Sequence, residues 1–314
     1  NSATPQKSSS VGAPSMTLAT PVSSSGVYCP KRREVKMDSP GIDLLDKHDP
    51  QTASEFAKDI ILNAKQNELK YLPDPAYMEM VQTNLTPKMR AVLVDWLVDV
   101  HRRHKLKPET FYLAINLIDR FLSHREISKT RLQLVGITSL VIACKYEEVY
   151  FPSLDDFERL CANSFTRAEF LAMERTMLAT LDFNITVVTP YPFLLRYSKC
   201  GKINKDGFLI ANYFAELATL EYPFLKFAPS VIACACLYLV NLVQAKQDPW
   251  NIQLQYYSGY NVEDFVECAK LLLTVIKGQC SSNAQFIAMR NKYLSPTRRS
   301  VAQIALMACR SIHL

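Results

Sequence analysis

Residues 89–100 read MRAVLVDWLVDV, and the way these apolar side chains divide between helix faces decides the fold. A surface helix needs one apolar stripe. On a helical wheel, at about 100° per residue, Met89, Val92, Leu93, Trp96 and Val100 gather on one side. Ala91, Val94 and Val98 gather nearly opposite, with Leu97 between, and only Asp95, Asp99 and Arg102 form a polar strip. A helix with two apolar faces gives one to a core and has a second to account for. The face bearing Ala91, Val94 and Val98 is expected to meet the central helix of its bundle around Gly136.

The surrounding chain repeats the helical pattern. It has only eight glycines, and Pro87, Pro108 and Pro152 stand at segment starts, where a proline forfeits no helical hydrogen bond. The periodicity predicts a lead helix over 53–68, an extended YLPDP linker, and helices near 87–104, 108–123, 128–148, 153–162 and 166–181. Thr86-Pro87 and Ser128 are the expected N-caps. A second set falls near 191–199, 205–221, 228–245, 251–257 and 262–278, and a short helix near 284–293 precedes a basic tail. The third helix of each set is the most apolar, LQLVGITSLVIACKY at 132–146 and KFAPSVIACACLYLV at 226–240, with small residues in the middle that suit the centre of a bundle. The expected architecture is all-α: two five-helix units in tandem, with an added N-terminal helix and a short C-terminal helix.

Composition narrows the function. The 314 residues are 48% hydrophobic and 21% charged, enough for two cores. No apolar run approaches the roughly 18–20 residues of a membrane span, and no leader marks secretion. The chain starts with Asn, so the natural N-terminus is expected upstream. Of the net charge of +6, the stretch 281–314 supplies +5 through Arg290, Lys292, Arg298, Arg299 and Arg310. The remainder is nearly neutral, which disfavours a general nucleic-acid surface. The nine cysteines form no CxxC, and Cys144, Cys234, Cys236 and Cys268 sit in apolar runs as core thiols. An odd count without pattern suits a reducing compartment. His101 and His104 read as a solvated pair, and no metal or cofactor is implied. Residues 1–52, rich in Ser, Pro and Thr, read as disordered.

Several motifs in order carry a resemblance: MRAVLVDW, LIDRFLS (117–123), LQLVG (132–136), ACKYEE (143–148) and LDFNI (181–185), then PYPFLLRYSK (190–199) and FAPSVIA (227–233). From about residue 53 to 294 the chain resembles the cyclins. KYEE, FLLRYSK and YYSGY (256–260) are more similar to mitotic B-type members than to A-type ones. The resemblance implies a first cyclin box over 87–184 and a second over 185–281, preceded by a helix and linker over 53–86 and followed by a helix and basic tail over 282–314.

It also implies roles. Lys145 and Glu174 match a pair that bonds the backbone of a cyclin-dependent kinase beside its PSTAIRE-type helix; by sequence alone they are also readable as an ordinary surface ion pair. Tyr146, Leu178 and Ile185 match apolar positions that receive that helix, and Phe56 and Ile60, one turn apart, match the N-terminal helix that packs on box and kinase. Met89, Val92, Leu93, Trp96, Asp99, Leu132 and Gln133 match a docking patch for RxL-containing substrates or inhibitors, with Asp99 set to pair with the peptide arginine. The open alternative for Trp96 is simple burial. Arg90 and Asp119 match a structural ion pair. The implied function is a non-catalytic activator of a cyclin-dependent serine/threonine kinase acting at G2/M, in nucleus and cytoplasm, without membrane or direct nucleic-acid contact. No phosphate loop, nucleophile elbow or kinase signature suggests catalysis. Two alternatives stand: an A-type, S-phase cyclin, and a tandem cyclin-fold transcription factor binding DNA, a type that brings a zinc ribbon this chain lacks. Ser295-Pro296-Thr297-Arg298 and Ser39-Pro40 are candidate phosphosites, with Thr4-Pro5 and Thr20-Pro21 weaker. Lys31-Arg32-Arg33 reads as a nuclear signal or a solvated cluster. Residues 1–52 hold neither RxxL nor KEN, so no degradation signal is legible.

Overall fold

The computed structural model describes residues 26–33, 42–48, 52–280 and 286–314. Among these, every regular element is helical apart from one isolated bridge between Tyr28 and Phe227. A one-turn α1 (Ile42–Leu45), α2 (Ala57–Asn67) and the short α3 (Tyr77–Met80) come first. The first unit is α4 (Pro87–Arg103), α5 (Pro108–His124), α6 (Lys129–Glu147), α7 (Leu154–Leu160) and α8 (Arg167–Thr180). The second is α9 (Pro190–Cys200), α10 (Lys205–Leu220), α11 (Pro229–Val243), α12 (Ile252–Ser258) and α13 (Val266–Gly278). Then come α14 (Ala288–Leu294) and α15 (Val301–Cys309).

Helix starts follow their chemistry. The Thr86 hydroxyl accepts the Met89 amide at 3.3 Å and Pro87 takes the first helical position. Ser153 and Thr166 open α7 and α8 with complete capping boxes, closed by Asp156 and Glu169. Ser128 precedes α6 but bonds Thr130 instead of capping the helix. The helix expected from 262 is broken: a 3₁₀ turn at Val262–Asp264 comes first and α13 begins at Val266.

Each unit is built round its third helix. In α6, Leu132 and every residue from Leu134 to Cys144 are buried, and α11 is buried on nearly all sides, as expected of a helix apolar all round. Small residues allow this packing. A Cβ on Gly136 would lie 2.6 Å from Leu93 Cδ1. The α4 residue that meets Gly136 is therefore Leu93, from the face that the resemblance assigns to docking, and not the opposite face of Ala91, Val94 and Val98, which is also buried. α4 is enclosed by α6 on one side and by α10 and α14 on others.

Three further expectations are corrected. First, parts of residues 1–52 are docked on the second unit: Tyr28 N–H donates to the Lys226 carbonyl at 2.5 Å, and Arg33 N–H to that of Gly259 at 2.9 Å. Asp43 is held bidentately by Arg196 at 2.6 and 2.7 Å, and Asp46 by Lys199 at 2.5 Å. Val27 and Cys29 lie half-buried against the core of the bundle, so they need no core of their own. Second, the basic tail contains α15, whose Val301, Ala302, Ala305, Leu306 and Cys309 are buried, and Lys292 is buried against Glu216 at 2.7 and 2.8 Å. Third, His101 is not solvated. It is buried edge-on to Phe111, its Nε2 lies 2.9 Å from the Lys107 carbonyl, and burial followed by the Lys292 charge pushes its pKa down to about 4. The His104 ring lies tilted against that of Phe157, with centroids 5.9 Å apart. Cys144, Cys234, Cys236 and Cys268 are buried free thiols.

Candidate functional site

Lys145 comes from the last turn of α6 and Glu174 from the middle of α8. Because α6 and α8 pack side by side, Lys145 Nζ reaches Glu174 Oε1 at 2.5 Å. The lysine side chain is 45% exposed and the glutamate 15%. One ammonium proton is used, so two remain, together with the second carboxylate oxygen. The pair thus presents donors and an acceptor from one point, a combination that suits a peptide backbone. Beside it, Tyr146 is half exposed and its hydroxyl bonds that of Thr186, which fixes the loop carrying Ile185 against the end of α6. Leu178 and Ile185 are half-buried against the core.

The chain leaving α6 adds what sequence reasoning missed. Val149, Tyr150 and Phe151 are exposed, Tyr150 to 93%, and Phe183 is exposed in the loop after α8. The signal was present: three consecutive apolar residues directly after KYEE, in a stretch with no helical period. Glu148 is turned inward, accepting the Lys107 amide at 2.7 Å and the Thr110 hydroxyl at 2.6 Å, so it holds the start of α5. Phe56 and Ile60 are exposed on one side of α2, with the Ile60 amide bonded to the Phe56 carbonyl. Their helix is fastened to the second unit: buried Glu68 accepts the Ser230 amide and hydroxyl at 2.8 and 2.9 Å.

A second feature is a groove of about 520 Å³ lined by Met89, Val92, Leu93, Trp96, Leu132 and Gln133, with Thr86, Lys88 and Lys129 at its edge. Val92 is exposed, Met89 and Trp96 are half-buried, and Leu93 and Leu132 form a buried floor. Asp99 does not line it; its carboxylate pairs with Arg102 one turn on, at 3.1 Å. The edge charges are lysines, so the acid expected to hold a peptide arginine stands outside the cavity. Asp95 has also left the polar strip. It faces the amides of Ala288 and Met289, each at 3.4 Å, and so receives the start of α14, while burial raises its pKa.

Arg90 and Asp119 are buried and joined by two bonds of 2.6 Å. Tyr77 donates to Asp119 at 2.9 Å, and Arg90 Nη1 donates to the carbonyls of Thr219 and Leu220 at 2.8 and 3.3 Å. The pair therefore ties α4 to α5 and also to the C-terminal end of α10, where free carbonyls favour a cation. Ser295 donates to the Lys292 carbonyl at 2.8 Å and is partly buried. Ser39, Thr4 and Thr20 lie outside the described residues. Among the described residues no cluster of three or more His, Cys, Asp or Glu could hold a metal, and no helix is long and apolar enough to cross a membrane.

Two family models match along the chain: the cyclin N-terminal domain over residues 59–186 and the cyclin C-terminal domain over 188–306. The chain belongs to the cyclin family. It is 40% identical over 267 residues to the G2/mitotic-specific cyclin-B of Dictyostelium discoideum, covering 85% of this chain and 61% of that protein. It is 41% identical over 263 residues to Cyclin-A2-2 of Arabidopsis thaliana, covering 82% and 60%. With Cyclin-B1-3 of Oryza sativa subsp. japonica it shares 36% over 302 residues, covering 95% and 63%. The chain thus spans about three fifths of the length of the curated relatives it matches. The crystal structure of a viral cyclin from herpesvirus saimiri shares the fold, with a TM-score of 0.61 at 20% identity over 70% of this chain and 96% of that one.

Proposed function

We propose that this cyclin is a B-type regulatory subunit that binds and activates a cyclin-dependent serine/threonine kinase, acts at G2/M and recruits substrates, in nucleus and cytoplasm. The observation that carries the reading is the Lys145–Glu174 pair standing half in solvent beside exposed Tyr146, Val149, Tyr150 and Phe151. An isolated surface pair of this kind contributes about 0–1 kcal/mol to stability, so its loss is expected to leave the fold largely intact. A pair that offers both donors and an acceptor, next to an apolar surface, is suited to hold the backbone flanking a partner's PSTAIRE-type helix, with Leu178 and Ile185 under that helix and Phe56 and Ile60 at its edge. The partner's helix carries the glutamate of the kinase lysine–glutamate pair over ATP. Binding the inward position of that helix better than the outward one shifts the kinase towards activity, and the cyclin itself needs no catalytic group.

The groove under Met89, Val92 and Trp96 supports substrate recruitment by RxL-type segments, with the leucine over Leu93 and Leu132. The DNA-binding alternative is less supported. Lys292 is buried on Glu216, Arg299 pairs with Asp206 and Arg290 bonds the Gln279 carbonyl, so much of the basic tail is committed internally. Relatives of B- and A-type at similar identity support a cyclin of this class, and the B-type assignment rests on KYEE, FLLRYSK and YYSGY. The test is a pull-down with purified PSTAIRE-type kinase: Lys145→Ala is expected to lose kinase binding while melting within about 3 °C of the wild type. Undiminished kinase binding would remove the pair from the interface.

A further inference from the structure

Between α2, α9, α12 and the docked N-terminal segments lies a cavity of about 210 Å³, on the second unit and away from Lys145 and from the groove on α4. Among the described residues four cations line it, Arg32, Lys58, Lys65 and Arg196, against one acid, Asp43; Leu44, Ile61, Leu62, Tyr256 and Tyr257 complete the wall. Arg196 is already satisfied: its two terminal nitrogens grip Asp43, and its guanidinium sits 5.1 Å from the Tyr257 ring centre. The other three are not neutralised in this way. Arg32 and Lys58 are exposed and make no hydrogen bond or ion pair among the described residues. Lys65 donates to the Ser258 carbonyl at 3.2 Å and stands 3.3 Å from the Tyr260 ring centre, and its pKa is lowered chiefly by burial. Nearby Glu68 accepts the Ser230 amide and hydroxyl, and its charge partly offsets that of Lys65.

Among the described residues, Arg32 and Lys58 line this cavity without an acid of their own and Lys65 lies beside them, so the cavity carries an excess of positive charge. A single carboxylate already saturates the Arg196 fork. What remains fits a dianion with three acceptor oxygens, because charge-assisted bonds from guanidinium and ammonium groups are the strong ones. The cavity has room for one such group, Arg32 and Lys58 on its wall are exposed, and its walls include the apolar Leu44 and Ile61. A duplex backbone presents phosphates in a row, which one enclosed cavity cannot follow. We propose that this cavity binds a phosphoserine- or phosphothreonine-bearing segment of a partner protein, with Arg32, Lys58 and Lys65 on the phosphoryl oxygens and Leu44 and Ile61 beside the flanking side chains.

The test uses the full chain and two fluorescein-labelled peptide pools with degenerate flanks, one centred on phosphoserine and one on serine, read by fluorescence polarisation, with inorganic phosphate as competitor. The phosphoserine pool is expected to bind at least about tenfold better than the serine pool and to weaken with added salt, and Arg32→Ala/Lys58→Ala is expected to remove at least about tenfold of that binding. Both residues are exposed, so the double variant should melt as the wild type does. If it does not, Lys58→Ala alone provides the same comparison. Equal binding of the two pools, unchanged binding by the variants, or phosphate binding without any preference for the phosphoserine pool would each overturn the proposal.

Discussion

Arg90→Ala is the most demanding perturbation, because Arg90 is both a buried charge and a bracket between the two boxes. The substitution deletes two bonds of 2.6 Å to Asp119 and two to the carbonyls of Thr219 and Leu220. It leaves Asp119 buried with the Tyr77 hydroxyl and no counter-charge. Breaking a buried pair from one side costs about 3–5 kcal/mol, and chains of this size lose about 2–4 °C of melting temperature per kcal/mol. A drop of order 10 °C is therefore expected, read by differential scanning fluorimetry and checked by circular dichroism at neutral pH. Arg90→Lys keeps the charge but cannot serve Asp119 as a fork and reach both carbonyls, so a smaller loss of about 1–3 kcal/mol is expected. Were Arg90→Ala to melt within about 2 °C of the wild type with an unchanged spectrum, the bracket would contribute little and the reasoning would fail.

Met89→Ala with Trp96→Ala is expected to lower kinase activity on RxL-bearing substrates several-fold while sparing kinase binding; an equal loss on substrates lacking the motif would point to misfolding instead. Gly136→Ala places a Cβ 2.6 Å from Leu93 Cδ1, so a destabilisation of about 1–3 kcal/mol is expected in a denaturant titration, and no loss would mean that α4 can shift freely on α6. His101 has a folded-state pKa of about 4 against roughly 6.5 unfolded, so the unfolded chain takes up the proton first and stability falls as pH drops from about 6.5 to 4. That loss reaches up to about 3 kcal/mol, and His101→Gln should flatten this part of the pH–stability curve. Glu68 and Asp95, both raised by burial, act in the opposite sense, so the difference between variant and wild type is the quantity that decides.

Helix positions were legible because they depend on local chemistry. Thr86-Pro87 is a start signal within four residues, and the apolar run around Gly136 marks a central helix without knowledge of its neighbours. The two faces of MRAVLVDWLVDV were legible as well, but not which neighbour each one meets. A wheel gives angles and not partners, and both faces of α4 are apolar, so the assignment of Gly136 to Ala91, Val94 and Val98 had no local evidence to decide it. Leu93 occupies both roles: it fills the space above Gly136 and floors the groove. Asp95 and Asp99 show the same limit. Both belong to the polar strip, yet one receives the amides of α14 and the other pairs with Arg102, and only the return of the chain some 190 residues later separates them.

What stayed hidden is consistently long-range and polar. Arg90 to Thr219, Glu68 to Ser230 and Lys292 to Glu216 are buried contacts whose second partner the sequence does not show: the resemblance pairs Arg90 with Asp119 alone, and Lys292 counts towards a basic tail. Each joins an element outside the second box to that box: α4, α2 and α14 in turn. A buried polar contact is costly to leave half-made, so these three resist small rearrangements more sharply than an apolar interface, which can slide. The consequence bears on the proposed function. Phe56 and Ile60 ride on α2, which is fixed to the second box, whereas Lys145, Tyr146 and Glu174 belong to the first. If these residues form one kinase-binding face, its two parts are held in register by Arg90, because that side chain holds the first box to α10. Arg90→Lys, with the fork weakened and the fold retained, should then lower kinase affinity without touching any kinase-facing residue. Wild-type affinity in a folded Arg90→Lys protein would mean that the two parts of the face bind independently.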